Sequence, residues 1–375
     1  MKRSFILSAI ALVVACQPCK QQVELAPGDW DPQVRAALNQ LFVEKGHQDS
    51  YAVFDFDKTT ISHDVSQALW VYQVENLRYC SAPEHLFMDG IPDPSRKLKG
   101  VSMNQLGSVL KEEFEQLSEL RKGGKTLEQI HETDLYKDFR ARMATLLVGM
   151  DDVFGYEVSY CWMPGLLAGY TQEEAREVIH DAILDQMGKD KLAVEEWTSP
   201  DGQWSEKVER GIYLPPEMKN LYNCLAVSGI TPYVCSASLE LIVEVLACDP
   251  QLGLGLPAEQ VFGLRFVPGE TIVAEYDPDY VQPIQQGKVV CIRDWMAPLH
   301  SETEPVLVGG DSNGDVAMLT SFPTMRHGLI IDVGRSPESK IGKLAAKAKA
   351  EGNQGVYILQ PAFAKAGGKI DGGGI

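Results

Sequence analysis

The sequence predicts an α/β fold, in which a parallel β-sheet carries helices on both faces and a mostly helical domain is inserted into it. Short apolar segments of strand length alternate with segments of helical periodicity before residue 77 and again after residue 216. The stretch between them, 77–215, has helical periodicity and little β-branched alternation. Several apolar segments also end abruptly in Gly or Asp, as is typical of strands that carry ligand-binding groups at the edge of an open α/β sheet.

The predicted strands and helices follow in order along the chain. A first helix is predicted over 31–46, and the apolar run 51–54 is predicted as a buried strand that ends at Asp55. Inside the insertion, 104–120 and 171–187 have helical periodicity. The later elements are strands at 231–235, 305–308, 329–332 and 357–359, helices at 238–247 and 287–296, and a hairpin at 261–276.

These elements and the composition of the termini divide the chain into parts. The last residues are rich in glycine and are predicted to be disordered. The parts are a signal peptide at 1–15, a tether at 16–30, a core formed by 31–76 and 216–366, a helical cap at 77–215, and a tail at 367–375.

The N-terminal residues indicate a targeting segment. Lys2 and Arg3 precede an apolar run, 5–14, that is too short to span a bilayer as a helix. Small and apolar residues then precede Cys16, a pattern that resembles a bacterial lipobox. It predicts cleavage before Cys16, a lipid anchor on that residue, and an exported protein held at a membrane of the cell envelope. An ordinary secretory signal is the alternative.

The composition of the chain limits the classes of molecule that it is expected to bind. The chain has 375 residues, 45% hydrophobic residues and a formal net charge of −18. A surface this acidic repels nucleic acid and anionic lipid, so neither is expected to bind, and no protein partner is indicated. An anionic substrate would need a local positive site, such as a metal ion.

The cysteines are predicted to be either buried core residues or members of a disulfide. Of the 8 cysteines, Cys235 and Cys291 lie in apolar segments and are predicted to be buried. Cys80 and Cys161 are a candidate disulfide, because an exported compartment can be oxidising. None of the spacings indicates zinc.

Four short clusters bear chemical groups at predicted strand or helix ends. Two carboxylates two residues apart just after a buried strand repel each other unless a cation binds between them. A hydroxyl, an ammonium and a second acidic loop follow further along the chain. The clusters are Asp55-Phe56-Asp57-Lys58-Thr59, Val234-Cys235-Ser236, Lys288 after Gly287, and Gly309-Gly310-Asp311-Ser312-Asn313-Gly314-Asp315.

This ordered set resembles the motifs of the haloacid dehalogenase (HAD) superfamily, over roughly residues 50–335. The resemblance implies a Rossmann-like core and phosphoryl transfer. It implies that Asp55 attacks phosphorus to form an aspartyl-phosphate, and that Asp57 acts as general acid and then general base. Ser236 and Lys288 would hold the phosphate oxygens.

The same resemblance implies a Mg²⁺ site of oxygen ligands. Its ligands would be the carboxylates of Asp55 and Asp311 and the backbone carbonyl of Asp57. Asp315 is placed with this metal group, orienting either Lys288 or a metal-bound water. Thr59 would fix the loop after the first strand and is placed with the substrate-binding residues. Taken singly, these residues have structural interpretations: Ser236 and Thr59 could cap helices, and Lys288 and Asp315 could be solvated.

The insertion between the first and second motifs resembles the caps of the phosphoserine phosphatase-like and phosphorylcholine phosphatase-like branches. The runs 166–174 and 54–60 are similar to segments of the second branch. One departure weakens phosphoserine as the substrate: Gly314 stands where phosphoserine enzymes usually carry Asn, and Asn313 lies one position earlier.

A cationic leaving group is suggested by Asp64, nine residues after Asp55, at an offset where phosphoserine enzymes carry a carboxylate that binds the substrate ammonium. The alternative interpretation of Asp64 is a helix capping box with Gln67. Aromatic faces also hold quaternary ammonium groups. Trp162 is the preferred substrate-binding aromatic among those in or near the cap, which are Trp70, Tyr72, Tyr156, Tyr160 and Trp162.

The sequence therefore predicts Mg²⁺-dependent hydrolysis of a small phosphomonoester, with phosphocholine as the first candidate. A phosphoserine phosphatase and a broad-specificity acid phosphatase are alternatives within the same class. A non-catalytic binding lipoprotein on a HAD scaffold is the alternative from another class, and it is disfavoured because the nucleophile and the metal carboxylates are all present.

Overall fold

A computed structural model of the chain describes residues 23–80, 87, 88 and 91–364. Its main sheet has six strands in the order β10-β9-β8-β1-β6-β7, and neighbouring strands all run parallel. The predicted α/β class with a parallel sheet is confirmed. The strands are β1 Ser50–Phe54, β6 Ile230–Leu239, β7 Val261–Leu264, β8 Leu307–Gly310, β9 His327–Asp332 and β10 Tyr357–Pro361.

The central strand, β1, lies between β6 and β8 and is buried along its whole length. Its side chains alternate between the two faces of the sheet. Ala52 and Phe54 join one apolar cluster, and Tyr51 and Val53 join another. Both faces are therefore covered, which explains why β1 is a continuous apolar run.

Helices of the core pack on these two faces. They include α1, which begins where the Asp31 side chain accepts hydrogen bonds from the amides of Gln33 and Val34, with Pro32 in the first turn. The core helices are α1 Pro32–Lys45, α2 Val65–Asn76, α8 Pro216–Val227, α9 Glu240–Ala247, α10 Gln286–Cys291, α11 Val316–Thr320 and α12 Lys340–Ala350.

The insertion between α2 and α8 forms the cap. It is mostly helical, as predicted, but it also contains two antiparallel hairpins that the sequence did not reveal. The helices are α3 Met103–Lys122, α4 Leu127–His131, α5 Asp134–Phe154, α6 Tyr156–Gly165 and α7 Gln172–Gln186, and the hairpins pair β2 Lys97–Leu98 with β3 Val101–Ser102 and β4 Ala193–Thr198 with β5 Ser205–Arg210.

The cap and the core share two helices. On α2, Leu69 packs in the core cluster, whereas Trp70 and Val74 pack in the apolar cluster of the cap. Helix α7 lies within the predicted cap range, yet its buried residues, such as Val178 and Ile179, belong to the core cluster. Helix α7 thus packs with the core, although the β4–β5 hairpin that follows it packs in the cap cluster through Trp197, Trp204 and Val208.

The structure corrects two local predictions. The described part of the predicted tether is packed against the core: Leu25 is 1% exposed, and Trp30 contacts the Phe363 ring edge-on. The predicted hairpin 261–276 is right only in its second part: 261–264 is strand β7, parallel to β6, and antiparallel backbone hydrogen bonds then flank Pro268-Gly269, with a bridge between Phe266 and Tyr276.

The cysteines follow the core prediction and not the disulfide prediction. Cys235 and Cys291 are fully buried. Cys80 and Cys161 are free thiols, and the Cys161 thiol is directed to the Ala274 carbonyl oxygen at 3.7 Å.

The predicted signal peptide, the lipidated Cys16 and the tail at 367–375 lie outside the described residues. Among the helices that are described, none is long and apolar enough to cross a membrane.

Candidate active site

Asp55 follows β1 directly and lies at the carboxyl edge of the sheet. Its amide continues the strand pairing by donating to the Gly309 carbonyl at 3.0 Å. Its own carbonyl accepts from the Thr60 hydroxyl at 2.7 Å, and that hydroxyl also meets the Tyr222 hydroxyl at 2.9 Å. The backbone on both sides of Asp55 is thus fixed, and its side chain is only 10% exposed.

Lys288 enters the same space from α10. Its Nζ donates to Asp55 Oδ1 at 2.6 Å and to Asp315 Oδ1 at 2.7 Å, and the side chain is almost completely buried. Burial alone would lower the pKa of Lys288, but the carboxylates of Asp315 and Asp55 outweigh it and raise that pKa. The residue is therefore a permanent cation beside the Asp55 carboxylate.

Asp315 organises the loop after β8. Its Oδ2 accepts hydrogen bonds from the amides of Asp311 and Ser312, both at 3.0 Å, and from the Ser312 hydroxyl. Gly310 permits this approach, because a Cβ atom at that position would overlap the Asp315 side chain. Both oxygens of Asp315 are occupied, one by Lys288 and one by the loop, so these contacts favour the orienting role over direct metal ligation.

Asp311 has one occupied and one open oxygen. Its Oδ2 accepts from Nη2 of Arg335 at 2.7 Å, whereas its Oδ1 lies 3.4 Å from the Thr59 hydroxyl. That hydroxyl is also 3.5 Å from Oδ2 of Asp55, the oxygen that Lys288 leaves unpaired. Asp55 and Asp311 thus each direct one free oxygen to a common space beside Thr59.

This space suits a divalent cation. Carboxylate oxygens of Asp55, Asp311 and Asp315 lie within 4.8 Å of one another, and all three side chains are buried. Burial, followed by the Asp315 charge, raises the pKa of Asp55 to about 8; burial also raises the pKa of Asp311 to about 6, although Arg335 opposes that rise. Ionised carboxylates crowded in this way are costly without a counter-ion, and oxygen donors are the ligands that Mg²⁺ prefers. The carbonyl ligation predicted for Asp57 stays a prediction.

The Asp57 residue is half-buried, and its carboxyl is close enough to Asp55 for their charges to interact. Its Oδ1 accepts from the Val65 amide at 2.7 Å, and its Oδ2 accepts from the Ser238 hydroxyl at 2.6 Å. Burial, then the charges of Asp64 and Asp55, raise the pKa of Asp57 well above its usual range. This rise favours the protonated form of Asp57, which is the form that a general acid needs.

Ser238 was not predicted, although it bears directly on Asp57. Its hydroxyl also accepts a hydrogen bond from the Ser66 hydroxyl at 2.8 Å, which aims its own proton at Asp57. A sequence signal existed: Ser236 and Ser238 stand two apart in one strand, the spacing at which side chains share a face.

Ser236 is completely buried at the same edge of the sheet, close to the end of β1, because Val234 pairs with Phe54. Its hydroxyl oxygen accepts from the Ser238 amide at 3.0 Å. The predicted contact of Ser236 with a phosphate oxygen stays a prediction.

Asp64 is the N-cap of α2, where its Oδ1 accepts from the Gln67 amide at 2.8 Å. The reciprocal half of a capping box is missing, because the Gln67 side chain donates instead to the Glu209 carbonyl at 2.9 Å. Since Asp64 is half-buried and its charge acts on Asp57, it caps the helix and also faces the site.

Trp162 does not reach the site, so its assignment to substrate binding is not supported. The ring is 1% exposed in the apolar cluster of the cap, and its Nε1 donates to the Phe87 carbonyl at 3.0 Å. Residues two apart on a helix point in nearly opposite directions. Tyr160 therefore faces away from the cap interior; it is 39% exposed, and its ring centroid lies 6.1 Å from that of Tyr156.

Charges of the candidate site act on Tyr160, together with that of Asp151 on α5. Partial desolvation of the phenol, and then the Asp64 carboxylate, raise the pKa of Tyr160 to about 12, while Lys288 opposes the rise. Tyr160 belongs to the same group of cap aromatic residues as Trp162, and helical phase, not size, distinguishes the two.

Known proteins resemble the chain over most of its length. A phosphorylcholine phosphatase of Pseudomonas aeruginosa is 27% identical over 356 residues, which cover 88% of this chain and 86% of that protein. The resemblance inferred from the four motifs is confirmed by this relative. No family model matches the chain.

A solved structure shares the fold. A conserved protein of unknown function from Anaerococcus prevotii aligns with a TM-score of 0.78 and 28% identity, covering 92% of this chain and 99% of that one. A phosphoserine phosphatase, described as a phospho-aspartyl intermediate analogue, aligns at a TM-score of 0.37 and 12% identity, over 75% of this chain and 86% of its own, which is too distant to support an argument.

Proposed function

We propose that this chain, a phosphatase of the haloacid dehalogenase type, hydrolyses a small phosphomonoester with a cationic leaving group, and that phosphocholine is the first candidate. The observation that carries the proposal is the pairing of Asp55 with Lys288 and of Asp311 with Arg335. Each cation occupies one carboxylate oxygen and leaves the other open to the same space.

In the proposed reaction Asp55 attacks phosphorus, and the bond from phosphorus to the leaving-group oxygen breaks as an aspartyl-phosphate forms. Asp57 gives its proton to that oxygen. Asp57 then takes a proton from water, and the resulting nucleophile attacks phosphorus, so that inorganic phosphate leaves and the Asp55 carboxylate is restored. Lys288 offsets the negative charge of the phosphoryl group.

Mg²⁺ would be held by the open oxygens of Asp55 and Asp311, with Asp315 orienting the loop around them. When bound, it would supply positive charge to the phosphate oxygens and keep Asp55 ionised at neutral pH. The crowding of the buried Asp55, Asp311 and Asp315 carboxyl groups supports this assignment, because such groups need a counter-charge.

The leaving-group preference rests on Asp64, Tyr156 and Tyr160. The Asp64 charge acts on Tyr160, and the Tyr156 ring centroid lies 6.1 Å from that of Tyr160. A carboxylate and aromatic faces together can attract a quaternary ammonium. The relative in Pseudomonas aeruginosa is named a phosphorylcholine phosphatase, which agrees with this choice.

A panel of phosphomonoesters assayed with Mg²⁺ and with chelator tests the proposal. The expected result is chelator-sensitive phosphate release, with the highest kcat/KM for phosphocholine. Faster turnover of phosphoserine, or equal rates across the panel, would replace the substrate assignment with one of the alternatives. No release from any ester by a protein that binds Mg²⁺ would favour the non-catalytic lipoprotein.

The location of the protein is a separate part of the proposal. The lipobox-like sequence before Cys16 supports export and lipid anchoring at the cell envelope. Labelling with radioactive palmitate should be lost in Cys16→Ser and kept in Cys19→Ser. Equal labelling of both variants would contradict the anchor.

A further inference from the structure

Arg335 lies outside the four motifs, in the loop that follows β9. Its guanidinium reaches back to the site, and its Nη2 donates to Asp311 Oδ2 at 2.7 Å. Its Nε is buried and has no hydrogen-bond partner among the described residues. The side chain is 31% exposed, whereas that of Asp311 is 3% exposed. A buried carboxylate is thus held by a cation that comes from a distant part of the chain.

The contacts of Asp311 show what Arg335 controls. Apart from Arg335, the one hydrogen-bond partner of its carboxylate in the described part of the chain is the Thr59 hydroxyl, at 3.4 Å. The loop built by Asp315 fixes the backbone of Asp311 but not its side-chain torsion. Arg335 is therefore the group that decides which oxygen of Asp311 turns towards Asp55.

We infer that Arg335 is a positioning residue for the metal site, which orients Asp311 so that its free oxygen and that of Asp55 can bind one divalent cation together. The inference rests on the proposed metal-dependent phosphatase. It assigns a role to a residue that none of the motifs contains.

Two effects of Arg335 on a bound cation oppose each other. Its positive charge repels the cation, while its hydrogen bond holds Asp311 in a productive orientation. The repulsion is reduced by solvent, because about a third of the side chain is exposed. Loss of a group that orients a metal ligand typically weakens metal binding by about 10–100-fold. We therefore expect orientation to prevail.

Two substitutions separate these effects. Arg335→Lys keeps the charge and loses the planar fork, while Arg335→Gln loses both charge and reach. Mg²⁺ affinity is measured by calorimetry on the full chain without substrate, beside a thermal melt of each variant. Arg326→Gln is the matched control, since Arg326 pairs with Glu44 at 3.0 Å on the surface.

If Arg335 positions Asp311, both Arg335 variants bind Mg²⁺ about tenfold or more weakly, and the control binds like the wild type. Tighter binding by Arg335→Gln with unchanged binding by Arg335→Lys would mean that Arg335 is only a counter-charge. Unchanged binding by both would remove any role at the metal. If the wild type itself binds no Mg²⁺ or Mn²⁺, the proposed function fails instead, so the two failures are distinct.

Discussion

Lys58, which stands between Asp57 and Thr59 in the first motif, forms an ion pair with Glu209 of the cap hairpin, with 2.9 Å between Nζ and Oε2. Lys58 also has a left-handed backbone with φ of 58°, and its amide donates to the His63 carbonyl at 3.0 Å. The loop that carries the catalytic carboxylates is thus tied to the strand β5 of the cap. The position of the cap and the shape of this loop are physically linked.

A double-mutant cycle tests this link. Lys58→Met and Glu209→Gln should each lower stability, and the double variant should lose less than the sum of the two. The side chains are about a quarter exposed, so we expect a coupling of roughly 1 kcal/mol in thermal or urea unfolding. Fully additive losses would show that the pair does not hold the cap.

Asp55→Asn should lower the rate of phosphate release by roughly 10³-fold or more, because an amide cannot form the aspartyl-phosphate. The fold should survive, since burial already disfavours the ionised form of Asp55. Phosphate release and a circular-dichroism melt are measured together. The exposed Asp294→Asn is the control, and an active, well-folded Asp55→Asn would exclude Asp55 as the nucleophile.

The sheet and the four motifs were predictable because they depend on local rules. The run 51–54 is apolar on both faces and ends at a carboxylate, and the loop 309–315 combines glycines with acids. Parallel strands bring their carboxyl ends to one edge of the sheet, so the sequence alone indicates that Asp55, Lys288 and Asp311 lie close together.

Arg335, Glu209 and Tyr160 could not be found in this way. Arg335 contacts Asp311 only because β9 and its following loop lie beside β8, and Glu209 meets Lys58 only because the hairpin folds back over the core. Both contacts depend on tertiary topology. Choosing between Tyr160 and Trp162 required the rotational phase of α6, which composition does not specify.

Ser238→Ala should shift the pH profile of the reaction. The hydrogen bond from Ser238 lowers the pKa of Asp57 against burial, so its loss raises that pKa further. The alkaline limb of kcat/KM, where Asp57 loses the proton that it must donate, should therefore move to higher pH. Ser66→Ala, which affects Asp57 only through Ser238, should give a smaller shift in the same direction. A profile unchanged in Ser238→Ala would remove Ser238 from the control of Asp57.

His327, at the start of β9, should make the protein less stable in acid. Burial is the main cause that lowers the pKa of His327 below its usual 6.5, and its Nδ1 has no partner among the described residues. The unfolded chain then binds the proton more readily, so this contribution to stability is present above pH 6.5 and is lost as pH falls through and below it. His327→Leu should flatten that part of the curve of melting temperature against pH, while the exposed His180→Gln should not. An unchanged curve in His327→Leu would exclude His327 as its source.

Tyr160 and Trp162 separate recognition of the leaving group from stability of the cap. Tyr160→Ala should lower kcat/KM for phosphocholine by about 3–30-fold while p-nitrophenyl phosphate is hydrolysed as before, because a cation–aromatic contact contributes about 0.5–2 kcal/mol. Tyr160→Phe keeps the ring and should keep the preference. Trp162→Ala should instead cost about 3–5 kcal/mol of stability and reduce both activities in parallel, because it empties a packed site in the cap interior. If Tyr160→Ala lost turnover of both substrates in parallel, Tyr160 would not be the leaving-group contact. If a stable Trp162→Ala lost only phosphocholine turnover, Trp162 would be that contact.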